Sequence, residues 1–111
     1  MVLMSRFKFN YKGKIFSIEV EECKTLLEKT HGLMFKKKSK PLLFIFSSKT
    51  KEAIHSFFCI PFIAIWFNEN KIVDIKYVKP YLPWITPKSK FDRLLEIPKG
   101  TKEFKFFIDE K

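Results

Sequence analysis

The chain has 111 residues, and its 22 lysines and arginines against 12 aspartates and glutamates give a net charge of +10. A chain of this length builds one domain, so residues 1–111 are taken as a single unit. Hydrophobic residues make up 46% of the chain and include 14 phenylalanines, which excludes the class of disordered proteins that cannot bury a core.

Compartment signals in the sequence favour the cytoplasm. Cys23 and Cys59 are too few for a disulfide framework, which is typical of proteins in a reducing environment. Arg6 and Lys8 interrupt the N-terminus before any apolar run reaches the length of an export signal. The longest uncharged run, residues 53–67, is too short for a membrane-spanning helix and has a proline in its middle. We therefore predict two buried strands there and no membrane span.

The predicted elements begin with a hairpin and one helix. Apolar and polar residues alternate over 6–12 and again over 16–20, and Lys12-Gly13 between the two runs offers a tight turn. Thr25 and Glu28 have the spacing of a capping box, which predicts a short helix that ends at Gly32.

Further strands are predicted in the rest of the chain. They cover residues 42–46, 54–59, 62–67, 73–77, 91–97 and 104–108. Asp74 is predicted to face solvent together with Lys76, because both alternate with apolar residues. Between the strands predicted over residues 73–77 and 91–97, three prolines hold residues 80–87 in an irregular, extended segment.

These elements predict a mainly β fold, α+β by count. We expect a single-domain antiparallel or mixed β-barrel or sandwich of seven to eight strands, with one short helix in the N-terminal half. Because short turns join the later strands and no helix lies between them, a wound α/β sheet is excluded.

Five short boxes of residues follow one another in the order of a known family. They are His31-Gly32-Leu33-Met34-Phe35, Leu42-Leu43-Phe44-Ile45-Phe46, Ile54-His55-Ser56-Phe57-Phe58, Lys79-Pro80 and Leu94-Leu95-Glu96-Ile97-Pro98-Lys99-Gly100. With these boxes the chain resembles the domain of unknown function 192 family over residues 15–100.

The resemblance implies a β-rich domain with one early helix, and it implies no activity, because the family is uncharacterised. The sequence departs from the family's pattern in its central strand. Pro61 lies one place early, and Ala64 occupies a position that is acidic in the pattern. A carboxylate at that position therefore has no counterpart in this chain.

Sequence motifs for catalysis or metal binding are weak. The soft metal ligands are Cys23, His31, His55 and Cys59. On an extended strand the last two lie roughly 13 Å apart, too far for one metal ion. The chain has three glycines and no phosphate-binding loop, nucleophile elbow or zinc-protease motif. We therefore predict no metal, no cofactor and no catalytic residue, and an uncharacterised enzyme is the third of the functional alternatives.

The leading hypothesis is a binding or accessory module for an unknown small ligand or protein. His55, Phe57 and Trp84 are the candidate ligand-binding residues, because a rigid proline loop beside aromatic strands can form the wall of a pocket. In the alternative interpretation, His55 is a structural histidine bonded to a backbone carbonyl.

The runner-up hypothesis is binding of single-stranded RNA or DNA through lysine-rich loops. The net charge is +5 over residues 36–53 and +4 over residues 71–90. The candidate basic surface consists of Lys36, Lys37, Lys38, Lys40, Lys79, Lys88 and Lys90. Exposed aromatics beside such a surface are typical of single-strand binders, whereas scattered lysines only solubilise a domain. The hypothesis requires the two loop regions to adjoin, and the oligomeric state stays open.

Overall fold

The strands of this protein form one mixed sheet in a computed structural model that describes residues 3–24, 32–34, 36 and 38–110. The elements are β1 (Met4–Tyr11), β2 (Lys14–Cys23), β3 (Leu42–Thr50), β4 (Phe62–Asn68), β5 (Lys71–Val78), β6 (Phe91–Pro98) and a helix α1 (Lys102–Glu110). The strand order is β1-β2-β3-β6-β4-β5, with β2 and β3 parallel and all other neighbours antiparallel. Because β1 also contacts β5, the sheet curls into a half-barrel. The mainly β prediction is confirmed.

The predicted hairpin of β1 and β2 is also confirmed. Tyr11 pairs with Lys14, so the connection is the two-residue turn of Lys12 and Gly13. Both turn residues have positive φ, 52° and 78°, which is the conformation of a type I′ turn. The turn matches the right-handed twist of the two strands and fixes their register.

The core lies on both faces of β4, in which residues 62–67 are fully buried. One face is covered by α1 and contains Phe9, Ile18, Val20, Leu43, Ile63, Ile65, Phe67, Leu95, Ile97 and Phe107. The opposite face, covered by loops, contains Cys23, Leu33, Leu42, Phe44, Phe62, Ala64, Trp66, Val78, Ile85, Phe91 and Leu94. A strand that is buried on both sides is uniformly apolar, as β4 is.

The strand predicted over residues 104–108 is wrong, because this segment belongs to α1. The Thr101 hydroxyl accepts a hydrogen bond of 3.1 Å from the backbone N–H of Phe104, which caps the first turn of the helix. Phe104, Phe107 and Ile108 then share one helical face that packs on the sheet. An apolar run this short is compatible with the periodicity of a strand and with that of a helix. The cap at Thr101 favours the helix.

The strand predicted over residues 54–59 is also wrong. This segment makes one isolated bridge, from Ile54 to Ile85, and then turns at Phe57 and Phe58. Ser56 takes part in hydrogen bonds to another loop instead of a strand ladder. The sheet therefore has six strands instead of seven to eight, while the predicted helix from Thr25 lies outside the described residues.

Asp74 is buried, which contradicts the prediction that it faces solvent. Asp74 and Lys76 do share one face of β5, but the loop of residues 79–90 covers that face. The Asp74 carboxylate accepts a 3.0 Å hydrogen bond from the backbone N–H of Lys88, and the Lys76 ammonium donates one of 2.6 Å to the carbonyl of Thr86. Both charged side chains therefore fasten this loop to the sheet.

We predict that Phe107→Ala lowers the free energy of unfolding by about 3–5 kcal/mol, because Phe107 is buried and stacks near the rings of Phe9, Tyr11 and Phe16. Urea unfolding followed by circular dichroism measures this loss. Lys105→Ala, on the exposed side of the same helix, is the control and should change stability by less than about 0.5 kcal/mol. Equal effects of both substitutions would contradict the packing of α1 on the sheet.

Candidate functional site

Two irregular loops, residues 51–61 and 79–90, are joined through Ser56, whose side chain is fully buried. The Ser56 hydroxyl donates a hydrogen bond of 2.6 Å to the carbonyl of Lys79 and accepts one of 2.8 Å from the N–H of Leu82. Its backbone N–H donates to the carbonyl of Leu82, and its carbonyl accepts from the N–H groups of Tyr81 and Cys59. One residue therefore organises the backbone of both loops.

A second link between the loops sets the positions of two predicted site residues. Ile54 and Ile85 exchange two backbone hydrogen bonds of 2.9 Å and turn their side chains toward the core. In this antiparallel register, His55 lies opposite Trp84 on the outer side. Ile85 anchors the proline-rich loop, while the side chain of Trp84 remains 76% exposed.

Apolar side chains project from the tips of these loops. Five of the eight large hydrophobic residues that are exposed in the described part of the chain lie here. They are Phe57 (38% exposed), Phe58 (51%), Tyr81 (62%), Leu82 (39%) and Trp84 (76%), and together they are named the aromatic loop surface. Large apolar patches on a folded domain commonly mark binding sites.

Two residues of the aromatic loop surface have a strained backbone. Phe58 and Tyr81 have φ values of 60° and 64°, in the left-handed region that bulky residues rarely adopt. Their rings meet edge to face at a centroid distance of 5.9 Å. The hydrogen bonds of Ser56 on both sides of these positions hold the strained conformation.

His55 supports the same surface. Its Nδ1 atom accepts a hydrogen bond of 3.1 Å from the backbone N–H of Phe57, and its ring centroid lies 5.4 Å from that of Phe57. The structural alternative predicted a backbone carbonyl as the partner, whereas the partner is a backbone N–H. The Nδ1 atom is therefore occupied by a hydrogen bond within the loop.

The candidate basic residues fall into separate groups. Lys36 and Lys40 pair with glutamates of β2, at 3.8 Å from Glu21 and 3.0 Å from Glu19 respectively, and Lys38 is exposed beside them. Lys37 lies outside the described residues. Lys79, Lys88 and Lys90 are exposed on the loop that carries the aromatic loop surface.

The structure does not bring all of these lysines onto one surface. Lys40 precedes β3 and Lys90 precedes β6, and these two strands are antiparallel neighbours. The two lysines are therefore separated by the length of β3, roughly 26 Å. Lys79 is the member of the basic set that lies directly at the Ser56 junction.

A cleft of about 440 Å³ opens beside the first lysine group, between the β1–β2 hairpin and the start of α1. Its lining includes Arg6, Glu19, Lys40, Lys102 and Glu103. Arg6 donates to the hydroxyl and carbonyl of Ser17, and Lys40 is paired with Glu19. Charges in this cleft are largely matched by opposite charges or hydrogen bonds, so it does not present a basic surface.

Glu96 is a buried acid that the sequence analysis did not identify as a candidate site residue. It lies on the loop-covered face of β6, directly opposite Leu42 and Ala64. Burial raises the pKa of its carboxyl group to about 8, so the group is protonated at neutral pH. The sequence feature that could have revealed its burial is that Glu96 is a single acid inside the apolar run of residues 94–97.

The position of Ala64 explains what the departure from the family's pattern changes. An acidic side chain at position 64 would lie beside Glu96 on the neighbouring strand. Two carboxyl groups so close together share protons, whereas one buried carboxyl next to alanine stays neutral. In this chain, therefore, Glu96 is one neutral acid without a second carboxyl group at position 64.

Neither the reactivity of Cys59 nor the placement of possible metal ligands among the described residues supports thiol or metal chemistry. Burial, and the negative charge that Glu96 carries only above its own pKa of about 8, raise the pKa of the Cys59 thiol to about 11, so the reactive thiolate is scarce at neutral pH. Within the described residues, no three histidine, cysteine, aspartate or glutamate side chains cluster as metal ligands would. His31 of the predicted ligand set lies outside the described residues.

The fold and the sequence together define a small β-rich domain with one curled mixed sheet. The chain belongs to the domain of unknown function 192 family, described as "Uncharacterized ACR", whose model matches residues 7–105. The UPF0127 protein PH1112 of Pyrococcus horikoshii is 34% identical over 89 residues, which are 77% of this chain and 76% of that protein. The UPF0127 protein PF1050 of Pyrococcus furiosus is 32% identical over 96 residues, 83% and 82% of the two chains.

Two solved structures share the fold. A protein of unknown function from Novosphingobium aromaticivorans matches with a TM-score of 0.77 and 15% identity, over 87% of this chain and 74% of that one. A Sinorhizobium meliloti protein, described as a candidate transcription regulator, matches with a TM-score of 0.73 and 18% identity, over 88% and 81% of the two chains. At these identities the likeness shows the fold alone.

We predict that Ser56→Ala lowers the free energy of unfolding by about 1–3 kcal/mol, because the carbonyl of Lys79 and the N–H of Leu82 lose their buried partner. Hydrogen exchange should accelerate at Tyr81 and Leu82 while the amides of β4 stay protected. Ser48→Ala, on an exposed part of β3, is the control and should change neither quantity. Unchanged exchange in the Ser56 variant would contradict its role in joining the loops.

Glu96 should also make stability depend on pH. Its folded pKa of about 8 exceeds the ordinary value of 4.5, so the folded state keeps a proton that the unfolded state has lost. Its contribution is complete below pH 4.5 and is lost as the pH rises to about 8, by up to about 1.4 kcal/mol per pH unit. Urea unfolding across this range should show the decline in the native chain and a much flatter profile in Glu96→Gln. Parallel profiles would exclude Glu96 as the cause.

Proposed function

We propose that this protein is a binding module and that the aromatic loop surface, with His55 at its edge, is where it meets its partner. The observation that carries the proposal is the concentration of exposed apolar side chains on two loops that Ser56 holds together. Such side chains lose contact with water only when something covers them. Of the predicted ligand-binding residues, Phe57 and Trp84 belong to this surface and His55 contacts it.

Rigidity of the loops supports a binding role. A surface that is ordered before binding loses less conformational entropy when a partner arrives. The bond between Ser56 and Leu82, the bridge between Ile54 and Ile85, and the prolines of the second loop all restrict motion here. An exposed surface of this kind fits a partner larger than the small ligand of a closed pocket.

Binding of nucleic acid through the lysine loops has less support from the geometry. The lysines before β3 are partly paired with Glu19 and Glu21, and Lys90 lies at the other end of the strands. A continuous cationic track along a single strand would need these groups to adjoin.

We also propose a cytoplasmic location. In the described part of the chain, no helix is both long and apolar enough to cross a membrane. Within the described residues, Cys23 and Cys59 do not take part in a disulfide bond, which is the usual state of cysteine in a reducing compartment.

The binding capacity of the surface can be measured with anilinonaphthalene sulfonate, an anionic aromatic dye. We expect saturable dye binding to the native protein and an affinity lower by about tenfold in Trp84→Ala, since Trp84 presents the largest exposed aromatic area. Ile15→Ala is the matched control, because Ile15 is 73% exposed but lies on the β1–β2 hairpin. Equal dye affinity in the Trp84 and Ile15 variants would refute the proposal.

A further inference from the structure

We propose that the aromatic loop surface docks onto the surface of an anionic lipid bilayer, an inference that rests on the binding role proposed above. The side chains at the loop tips are of the kinds that insert at a membrane surface. Trp84 and Tyr81 have the amphipathic rings that concentrate at the level of the lipid headgroups, and Phe57, Phe58 and Leu82 are wholly apolar.

Backbone hydrogen bonding at the loop tips suits an apolar environment. A loop that enters a bilayer has to satisfy its N–H and carbonyl groups without water. The N–H of Phe57 donates to His55, and the carbonyl of Phe57 accepts from the Cys59 thiol. The N–H of Tyr81 and both backbone groups of Leu82 are bonded to Ser56.

Prolines reduce the number of backbone N–H groups in these loops that need a hydrogen-bond partner. Pro80 and Pro83 stand on either side of Tyr81 and Leu82, and neither has an N–H group that would need a partner. The segment from Pro80 to Trp84 thus exposes large side chains while it leaves few backbone donors for water. Loops that bind a partner through main-chain hydrogen bonds have the opposite character.

Charge around the surface complements an anionic bilayer. The sequence has no aspartate or glutamate between residues 53 and 68 or between residues 75 and 91, which are the two loops and their flanks. Lys79 and Lys88 are exposed there, and within the described residues neither ammonium group forms a salt bridge, while the backbone N–H of Lys88 donates to the Asp74 carboxylate. Lysines beside inserted aromatic residues attract anionic headgroups, and their long stems allow the ammonium groups to reach them.

The same features favour a bilayer over single-stranded nucleic acid. The rings of Phe58 and Tyr81 are close to perpendicular, with an interplanar angle of 78°, so they do not form a parallel platform for successive bases. No arginine, asparagine or glutamine occurs in residues 53–61 or 79–90 to contact a base edge. The aromatic loop surface matches a bilayer, whose apolar interior lies beneath negatively charged headgroups. A bilayer presents no fixed pattern of hydrogen-bonding groups, unlike the base edges of a nucleic acid.

Vesicle co-sedimentation tests this inference with the full chain. We expect binding to vesicles of phosphatidylcholine mixed with phosphatidylserine, weak binding to phosphatidylcholine alone, and a blue shift of tryptophan emission on binding. Trp84→Ala should weaken binding by at least about tenfold and remove the shift, because Trp66 is buried and stays so. Lys79→Gln combined with Lys88→Gln should weaken binding to the anionic vesicles severalfold.

Control variants separate a specific surface from general attraction to a protein of charge +10. Ile15→Ala and Lys71→Gln remove an exposed apolar residue and an exposed lysine elsewhere, and they should bind vesicles as the native chain does. The inference is overturned if anionic vesicles are not bound, or if the control variants lose as much binding as the loop variants. If vesicles are not bound but Trp84-dependent dye binding persists, the proposal of a binding module stands and a bilayer is excluded as the partner. Under the same conditions, Trp84-dependent binding of a single-stranded oligonucleotide without vesicle binding would assign the surface to nucleic acid.

Discussion

The structure depends on the fact that strand β4 is apolar on both sides. Residues 62–67 of β4 are fully buried, so each face of the sheet has to be covered. On one face α1 provides the cover, and a helix satisfies its own backbone hydrogen bonds. Irregular loops cover the other face, and their buried backbone groups need partners from side chains. Ser56, Asp74 and Lys76 supply those partners, which explains why polar residues lie on this apolar face.

Covering the sheet in this way determines what the loops expose. Because Ile54 and Ile85 point into the core, the residues next to them, His55 and Trp84, must point outward. Exposure of the aromatic side chains is therefore a consequence of ordered packing, and it does not result from a loose loop. The left-handed conformations of Phe58 and Tyr81 fit the same view, since strain of this kind persists only where surrounding contacts fix it.

Elements with a clear local pattern could be predicted from the sequence, and elements decided by distant contacts could not. The alternation of β1 and β2 and the uniform apolarity of β4 identify these strands directly. Residues 54–59 and 104–108 are short apolar runs that fit more than one structure, and bonds at Ser56 and Thr101 decide between them. The candidate site shows the same difference between local patterns and distant contacts. Residue types suggested His55 and Trp84, but their juxtaposition depends on a register between segments 30 residues apart, and the burial of Glu96 depends on the strands beside it.

The large positive charge is distributed unevenly, and its distribution bears on function more than its total does. Acids on the polar sides of strands and turns pair with Lys36, Lys40 and Lys49, so the positive charge of residues 36–53 is partly neutralised. The loops that carry the exposed aromatic residues contain only one acid, Glu52, at the beginning of the first loop. Solubility alone would favour mixed charges and few exposed rings. Lysines that form no salt bridge within the described residues instead lie beside rigid aromatic residues. Together they form a surface of positive charge and large apolar area, which is complementary to a partner that is both anionic and apolar.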